Sequence, residues 1–563
     1  MNRSCRYLVL MGMVSGLVHA QQTWRPVVRG RTHMVASGHY STAMAGYRVL
    51  EQGGNAVDAA VAATFASTVV EPARAGIGGH LMVMIYLAKS GKVICIDGSG
   101  WSGRRATVEY FRKVGSLPLH GPLAPIVPGA VEALLRAQEK YGRVKPPVIL
   151  EPSIDLADGG FAVSESLAGL LKGSQAQLAK WPSTKAMWFR EDQPLRAGDV
   201  VVQKDLAGTL RAIAAGGRDA FYRGPIARRI VSYLKQHGGI LEEDDFAQYR
   251  APETEPLHTS YKGYEVYDGA PSSFDRITLE SLNILESFDL RSMGHNSAPY
   301  LHHVTEAMKL AFADRDAIVD DPSYPARMPR VLDKAFAAER RARIRPDRVL
   351  DPAPAGNVAS KSRFAEDYAL TTYVAAIDGE RNMVSITSSV SGGFGSMMYV
   401  DGEAGGFFLN NWTPLFQLNE KSANAMTPRK VPRTGWSPML ALKAGRPAFA
   451  FGTPGGDTIP QTQLQFFLNL VEFGMNVQQA LEQPTVITSA FRAYRFPNAI
   501  GKDLAVSGRI PEEVRNDLAR LGHHVVRHEA LGVGSVKAIV IDPKTDILMG
   551  GAAPEADAYV IGR

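Results

Sequence analysis

The chain has 563 residues, of which 45% are hydrophobic and 21% are charged, and its formal net charge is +6. This composition is typical of globular proteins and excludes both a disordered chain and one built mainly of membrane spans. The positive charge is small for this length and is not gathered into Lys/Arg blocks, so we predict no nucleic-acid partner.

The first predicted element is a targeting segment. Arg3 and Arg6 precede an apolar run over residues 7–18, which ends at Ala20. A positive start, a short apolar stretch and a small residue at the end are typical of a cleaved secretory signal, and the run is too short to span a bilayer. We therefore expect residues 1–20 to be a signal peptide and the mature protein to be periplasmic or secreted, with no membrane association after signal removal.

Helical patterns follow. Residues 41–52 have helical periodicity and stop at a glycine pair, and Asn55 then caps an alanine-rich helix with Asp58 near its positive end. A hairpin with strands at 81–87 and 93–97 comes next, and residues 128–344 are mostly helical.

The C-terminal third is rich in hairpins. Their predicted strand pairs are 372–377 with 383–387, 439–442 with 448–451, and 536–541 with 547–548. Because hairpins occur towards both ends of the chain and helical stretches can cover them, we predict an α+β fold. Its antiparallel sheets would pack face to face between helical layers, as a four-layer αββα sandwich.

The sequence predicts neither a metal nor an organic cofactor, and it has no flavin, nicotinamide or phosphate-loop signature. Cys5 belongs to the expected signal peptide and Cys95 lies alone in an apolar strand, so neither an intrachain disulfide nor a cysteine metal cluster can form in the mature chain. His302, His303 and Glu306 lie within one helical turn, but without an evident third ligand we favour a helix-surface pair over a metal site.

A threonine pair marks the border between a polar loop and a buried strand. The loop covers residues 345–370, and Thr371 and Thr372 open the strand. A threonine hydroxyl alone is a poor nucleophile, but cleavage before Thr371 would free an α-amine that can serve as its base. The simpler alternative is that both threonines merely begin a β-strand.

A glycine pair provides a second candidate for chemistry. Gly455 and Gly456 follow a strand and precede a helix that begins near Pro460. Bare backbone N–H groups at the positive end of a helix suit an anion, including the oxyanion of a tetrahedral intermediate. The alternative is a tight turn that requires positive φ.

Several stretches together resemble the γ-glutamyltransferase family of exported N-terminal-nucleophile hydrolases, which mature by self-cleavage. They occur in family order, at residues 53–60, 70–72, 76–79, 127–129, 219–224, 371–373, 394–396, 409–411, 437–439 and 454–456. The resemblance implies that the chain is cut between Leu370 and Thr371. A large subunit (21–370) and a small subunit (371–563) would then form a heterodimer.

The resemblance also implies roles for individual residues. Thr371 is the expected nucleophile, Ser389 falls where the family has a second, assisting threonine hydroxyl, and Gly455 and Gly456 fall on the glycines of the oxyanion hole.

The expected glutamate-binding residues depart from the family. Ser99 stands at the position of an arginine, Trp412 at that of a glutamine and Leu415 at that of an aspartate, while Thr434 and Gly435 replace a serine pair. A zwitterionic glutamyl group needs a guanidinium and a carboxylate, and an unpaired ammonium in this pocket would cost several kcal/mol. Arg104 is our first candidate for a replacement carboxylate anchor, beside the alternatives Arg74, Arg105 and Arg433, although solvated surface charges are the simpler interpretation.

The sequence thus predicts a self-processing amide hydrolase or acyltransferase for a small-molecule amide whose acyl group is not an unmodified γ-glutamyl. One alternative is ordinary γ-glutamyl transfer and glutathione hydrolysis with a differently built pocket. Another is an unprocessed periplasmic binding protein that has kept the fold and lost catalysis.

Overall fold

The structure is a computed structural model and describes residues 23–271, 276–319, 329–350, 370–493, 500–529 and 535–563. The expected signal peptide and residues 351–369 of the predicted loop lie outside these ranges. Within them, no helix is both long enough and apolar enough to cross a membrane.

The chain combines helices and strands. The helices are α1 (Tyr40–Glu51), α2 (Ala56–Val70), α3 (Val108–Val114), α4 (Ala130–Tyr141), α5 (Pro146–Gly159), α6 (Glu165–Gly173), α7 (Gln175–Leu178), α8 (Pro182–Trp188), α9 (Lys204–Tyr222, kinked at Gly217), α10 (Pro225–Gln236), α11 (Glu243–Gln248), α12 (Ile277–Leu285), α13 (Leu290–Met293), α14 (Ala298–Val319), α15 (Lys334–Arg341), α16 (Ile459–Val471), α17 (Val477–Leu481) and α18 (Glu512–Arg520). The strands are β1 (Val28–Gly30), β2 (Met34–Ser37), β3 (His80–Leu87), β4 (Lys92–Gly98), β5 (Phe161–Ala162), β6 (Phe189–Arg190), β7 (Gln193–Pro194), β8 (Val200–Val201), β9 (Glu253–Thr254), β10 (Leu257–Tyr261), β11 (Tyr264–Asp268), β12 (Leu370–Ile377), β13 (Met383–Ser391), β14 (Tyr399–Val400), β15 (Phe407–Phe408), β16 (Met439–Lys443), β17 (Arg446–Gly452), β18 (Val486–Thr488), β19 (Asp503–Ser507), β20 (His524–His528), β21 (Lys537–Ile541), β22 (Leu548–Ala552) and β23 (Tyr559–Gly562).

Two seven-stranded antiparallel sheets form the centre of the fold. One sheet has the order β1-β22-β21-β17-β16-β11-β10 and the other the order β23-β2-β12-β13-β3-β4-β9. Strands β12 and β13 of the second sheet face β17 and β21 of the first, α2 and α4 cover the second sheet, and α12, α16 and α17 cover the first. The predicted four-layer αββα sandwich is confirmed.

Side-chain alternation along the strands fills the spaces between these layers. In β12, Tyr373 and Ala375 belong to the hydrophobic cluster between the two sheets, while Val374 and Ala376 join the cluster under α2. Because successive strand residues point to opposite faces, one continuous apolar run supplies two cores.

The start of α2, the helix that leads to the site, is determined by a capping motif in its own sequence. The Asn55 side chain accepts hydrogen bonds from the backbone N–H groups of Val57 and Asp58, and the Asp58 carboxylate accepts one from the backbone N–H of Asn55, which completes a capping box. The described side chains of α2 are buried along its whole length, so the helix is held on several sides. Glu71 is the C-cap residue of α2, and its carboxylate accepts a hydrogen bond from Thr372 in β12. Both N-terminal helices and all three predicted C-terminal hairpins are confirmed.

Candidate active site

The bond predicted to be cut lies at an irregularity in the ladder between β12 and β13. Leu370 pairs with Ser391 and Thr372 pairs with Ser388, with a shift of register between them. Thr371 therefore faces two residues of β13 instead of one. Such bulges re-aim side chains and are frequent next to active sites.

The Ser389 hydroxyl contacts the carbonyl of the predicted cleavage bond. Its Oγ donates a hydrogen bond to the Leu370 carbonyl oxygen at 2.7 Å and accepts one from the Ser391 backbone N–H at 2.8 Å. Thr371 and Ser389 are both buried. A fixed donor on this carbonyl stabilises the negative charge that develops on the oxygen when a nucleophile attacks its carbon.

A cleft opens beside Thr371, and charged groups line it. They include Glu71, Arg74, Lys537 and Asp557. The Thr372 hydroxyl lies 3.0 Å from both carboxylate oxygens of Glu71 and donates to them.

Burial shifts the proton affinity of these groups. Loss of solvation raises the pKa of Glu71, and the nearby Arg74 and Lys537 cations oppose that rise. Burial lowers the pKa of Lys537 to about 7, against the attraction of Glu71, and it lowers the pKa of His39, which also lines the cleft, to about 4.

The predicted glycine loop is held next to β12. A Cβ atom on Gly452, at the end of β17, would collide with the ring of Tyr373, so strand and ring pack without a gap. Gly452 also pairs with Lys537. Gly455 and Gly456 follow, with φ of 137° and 58°, and α16 begins three residues later. Both φ values favour glycine.

Two of the residues predicted to replace the glutamate-binding set, Ser99 and Trp412, belong to an aromatic cluster. Trp436 donates its indole N–H to Ser99 Oγ at 2.7 Å. Trp412 stacks on Trp436 with ring centroids 4.9 Å apart, and the ring of His80 meets Trp412 edge to face at 4.8 Å. His80 pairs along the sheet with Ser389. A chain of contacts therefore joins the predicted acyl pocket to the predicted catalytic hydroxyl.

The remaining predicted pocket residues divide into two groups. Leu415 belongs to the same buried cluster between the sheets as Trp412, and the buried Thr434 and the half-buried Gly435 directly precede Trp436. Arg104 instead forms an ion pair with Glu242, with 55% of its side chain exposed. Of the alternative arginines, Arg74 lines the cleft of Thr371.

Sequence reasoning missed four residues of this site. Trp436 and His80 build the aromatic cluster, and Glu71 and Lys537 line the cleft. Lys537 carried a visible clue, because a lysine interrupts an otherwise apolar strand pattern. The partners of the other three depend on contacts between distant segments.

The histidine group on α14 is buried, so the predicted helix-surface pair is wrong. His302 lies 2.8 Å from His523 (Nδ1 to Nε2), and the ligand atoms of His302, Glu306 and His523 lie within 4.8 Å of one another. Lys309 donates to Glu306, and Glu306 accepts from the backbone N–H of Leu350. The third potential ligand, which the sequence did not reveal, is His523, 221 positions away from His302.

The chain is similar to known proteins along most of its length. The family model described as gamma-glutamyltranspeptidase matches residues 42–562. The chain is 34% identical to the glutathione hydrolase-like YwrD proenzyme of Bacillus subtilis (strain 168), over 95% of this chain and 99% of that protein. It is 35% identical to the acylase ACY 1 proenzyme of Pseudomonas sp. (strain SE83), over 94% and 93%.

Solved structures show the same likeness. The cephalosporin acylase from Bacillus halodurans superimposes with a TM-score of 0.86 at 30% identity, covering 98% of this chain and 99% of that one. The gamma-glutamyltranspeptidase of Helicobacter pylori matches with a TM-score of 0.53 at 35% identity, over 56% of this chain and 92% of that one.

Proposed function

Because the chain belongs to the gamma-glutamyltranspeptidase family, we propose that it is a self-processing amide hydrolase or acyltransferase with Thr371 as its nucleophile. The observation that carries this proposal is the Ser389 hydroxyl, held 2.7 Å from the Leu370 carbonyl oxygen beside Thr371. A serine that only stabilised the strand would not need to donate a hydrogen bond to the Leu370 carbonyl. Relatives named as proenzymes support processing as well.

Self-cleavage uses the residues at the bulge. Thr371 Oγ gives up its proton as it attacks the Leu370 carbonyl carbon, and Ser389 holds the oxyanion. The C–N bond breaks, that proton is passed to the Thr371 nitrogen, and an ester remains between the Leu370 acyl group and Thr371 Oγ. Water hydrolyses the ester and leaves Thr371 as the N-terminus of a small subunit (371–563) beside a large subunit (21–370), which stay together as a heterodimer.

The mature site then runs an acyl-enzyme cycle on a small-molecule amide. The freed α-amine of Thr371 takes the proton of its own hydroxyl, and the oxygen attacks the substrate carbonyl. Backbone N–H groups at Gly455 and Gly456 hold the oxyanion, since they lie at the start of a helix and carry no side chain. Water or an amine resolves the ester.

We further propose that the acyl group is not an unmodified γ-glutamyl. Trp412 and Leu415 offer no charge to an α-ammonium, and Ser99 already accepts the Trp436 indole N–H. An ammonium left unpaired there would cost several kcal/mol. The cluster suits an acyl group that lacks the amine, and the likeness to proteins named acylases supports this choice.

The test compares purified mature protein on a γ-glutamyl anilide and on anilides of acyl groups without an α-amine, including the matched glutaryl anilide. We expect faster turnover of an amine-free substrate and no turnover by Thr371→Ala. Faster turnover of the γ-glutamyl anilide than of every other substrate would favour the glutathione hydrolase alternative. Full activity of Thr371→Ala would overturn the assignment of the nucleophile, and an uncut, inactive wild-type chain would support the binding-protein alternative.

A further inference from the structure

The first cleavage poses a chemical problem that the mature enzyme does not have. Before the Leu370–Thr371 bond breaks, the nitrogen of Thr371 is an amide and cannot accept the proton of the hydroxyl. Another group must take that proton when Thr371 Oγ attacks. The inference that follows rests on the proposed function, because it concerns the same bond.

The cleft of Thr371 contains a buried amine. Lys537 begins β21, is 2% exposed and lines the same cleft as Thr371. Its backbone pairs with Gly452, which packs on Tyr373, two residues after Thr371. The rest of β21 is apolar and buried. A lysine in such a place loses solvation, so its presence requires a reason other than packing.

The other described groups at the cleft are less suited to this role. Glu71 already accepts the Thr372 hydroxyl. His39 Nδ1 accepts the backbone N–H of Ser41 at the start of α1. Asp557 accepts the hydroxyl of Ser164. Arg74 is a guanidinium and stays protonated.

We propose that Lys537, as a neutral amine, is the general base of self-cleavage. It takes the proton of the Thr371 hydroxyl across the cleft, directly or through one bridging water. Thr371 Oγ then bonds to the Leu370 carbonyl carbon. When the C–N bond breaks, the Lys537 ammonium returns the proton to the departing nitrogen. No proton is gained or lost overall, and the products are the ester and the free Thr371 amine.

The surroundings of Lys537 favour a base that works near neutral pH. Burial lowers the pKa of this lysine to about 7, Arg74 lowers it further, and Glu71 and Glu555 raise it. The neutral amine is therefore accessible near neutral pH. After cleavage the Thr371 amine is available as the base, so the proton transfer proposed for Lys537 belongs to maturation.

The experiment measures the first-order rate of self-cleavage of full-length precursor on denaturing gels, between pH 5.5 and 9. For the wild type, we expect a rate that rises with pH and levels off above about 7. Lys537→Met should cleave about 100-fold more slowly, the lower end of the contribution of a general base, and lose this pH dependence. Lys443→Met, which changes an exposed lysine at the end of β16, is the matched control and should behave as the wild type.

A second variant and a second measurement test the role of Lys537 independently of Lys537→Met. Lys537→Arg retains the positive charge but cannot accept a proton, so it should also be slow. The fraction of either variant that does mature is assayed separately on substrate, and the loss in the rate of self-cleavage should exceed any loss in turnover. Wild-type cleavage rates and pH profiles in both variants would overturn the role of Lys537 and leave the proposed function intact. Failure of the wild type to release a fragment that begins at Thr371 would instead overturn the proposed function.

Discussion

Removal of the Ser389 hydroxyl is the sharpest test of the geometry at the bulge. In Ser389→Ala the Leu370 carbonyl loses a donor at 2.7 Å, and the Ser391 backbone N–H loses an acceptor at 2.8 Å. The site is buried, so water does not readily replace either partner. We expect self-cleavage to slow while the protein stays folded.

The expected loss in cleavage rate and the expected loss in folding stability can be estimated separately. Loss of one donor to a developing oxyanion typically lowers the rate by about 10²–10³, or about 3–4 kcal/mol of activation free energy. Leaving one buried N–H unpaired costs about 1–3 kcal/mol of folding free energy. The second cost is below the total stability of a typical domain, about 5–15 kcal/mol, so the variant should fold but mature slowly.

The assay follows the disappearance of full-length precursor after rapid purification, with two matched variants. Ser389→Thr keeps a hydroxyl and should mature at a rate near that of the wild type. Ser388→Ala removes the neighbouring hydroxyl, which forms no hydrogen bond among the described residues and should have little effect. Self-cleavage of folded Ser389→Ala at the wild-type rate would refute the assignment of Ser389 to the oxyanion.

Two further predictions concern the glycine loop and stability in acid. Gly455→Ala should abolish turnover, because φ is 137° and a Cβ would collide with Thr458 Oγ1. The control is Gly445→Ala, at a hairpin turn where φ is also positive but the space around the glycine is open. An equal loss of turnover in both variants would show that backbone strain alone is the cause. Burial lowers the pKa of His80 and His523 to about 3. The unfolded chain therefore binds more protons below about pH 6.5, and each histidine removes up to about 1.4 kcal/mol of stability per pH unit as the pH falls towards 4. In urea unfolding, His523→Gln should show a shallower loss over pH 6.5–4.5, and a slope equal to that of the wild type would contradict this.

Local sequence was sufficient to predict most of the framework. Asn55 and Asp58 are spaced as a capping box, and that box starts α2. Each predicted hairpin has a short polar turn between apolar runs, and each pairs as expected. These features depend on residues a few positions apart, so their physical causes are visible in the sequence itself.

Contacts across long separations were not predictable in this way. Trp436 reaches Ser99 across 337 positions, and Thr372 reaches Glu71 across 301. The bulge opposite Thr371 depends on the register between two strands, which no single strand pattern determines. For the same reason the sequence favoured a surface position for His302, although its partner His523 buries it.

The central claim is that one peptide bond breaks and leaves Thr371 at the start of a new chain. N-terminal sequencing of the smaller fragment of the purified mature protein tests this claim most directly. We predict the order Thr371, Thr372, Tyr373 and Val374. A single uncut chain, or a fragment that begins at any other residue, would contradict it.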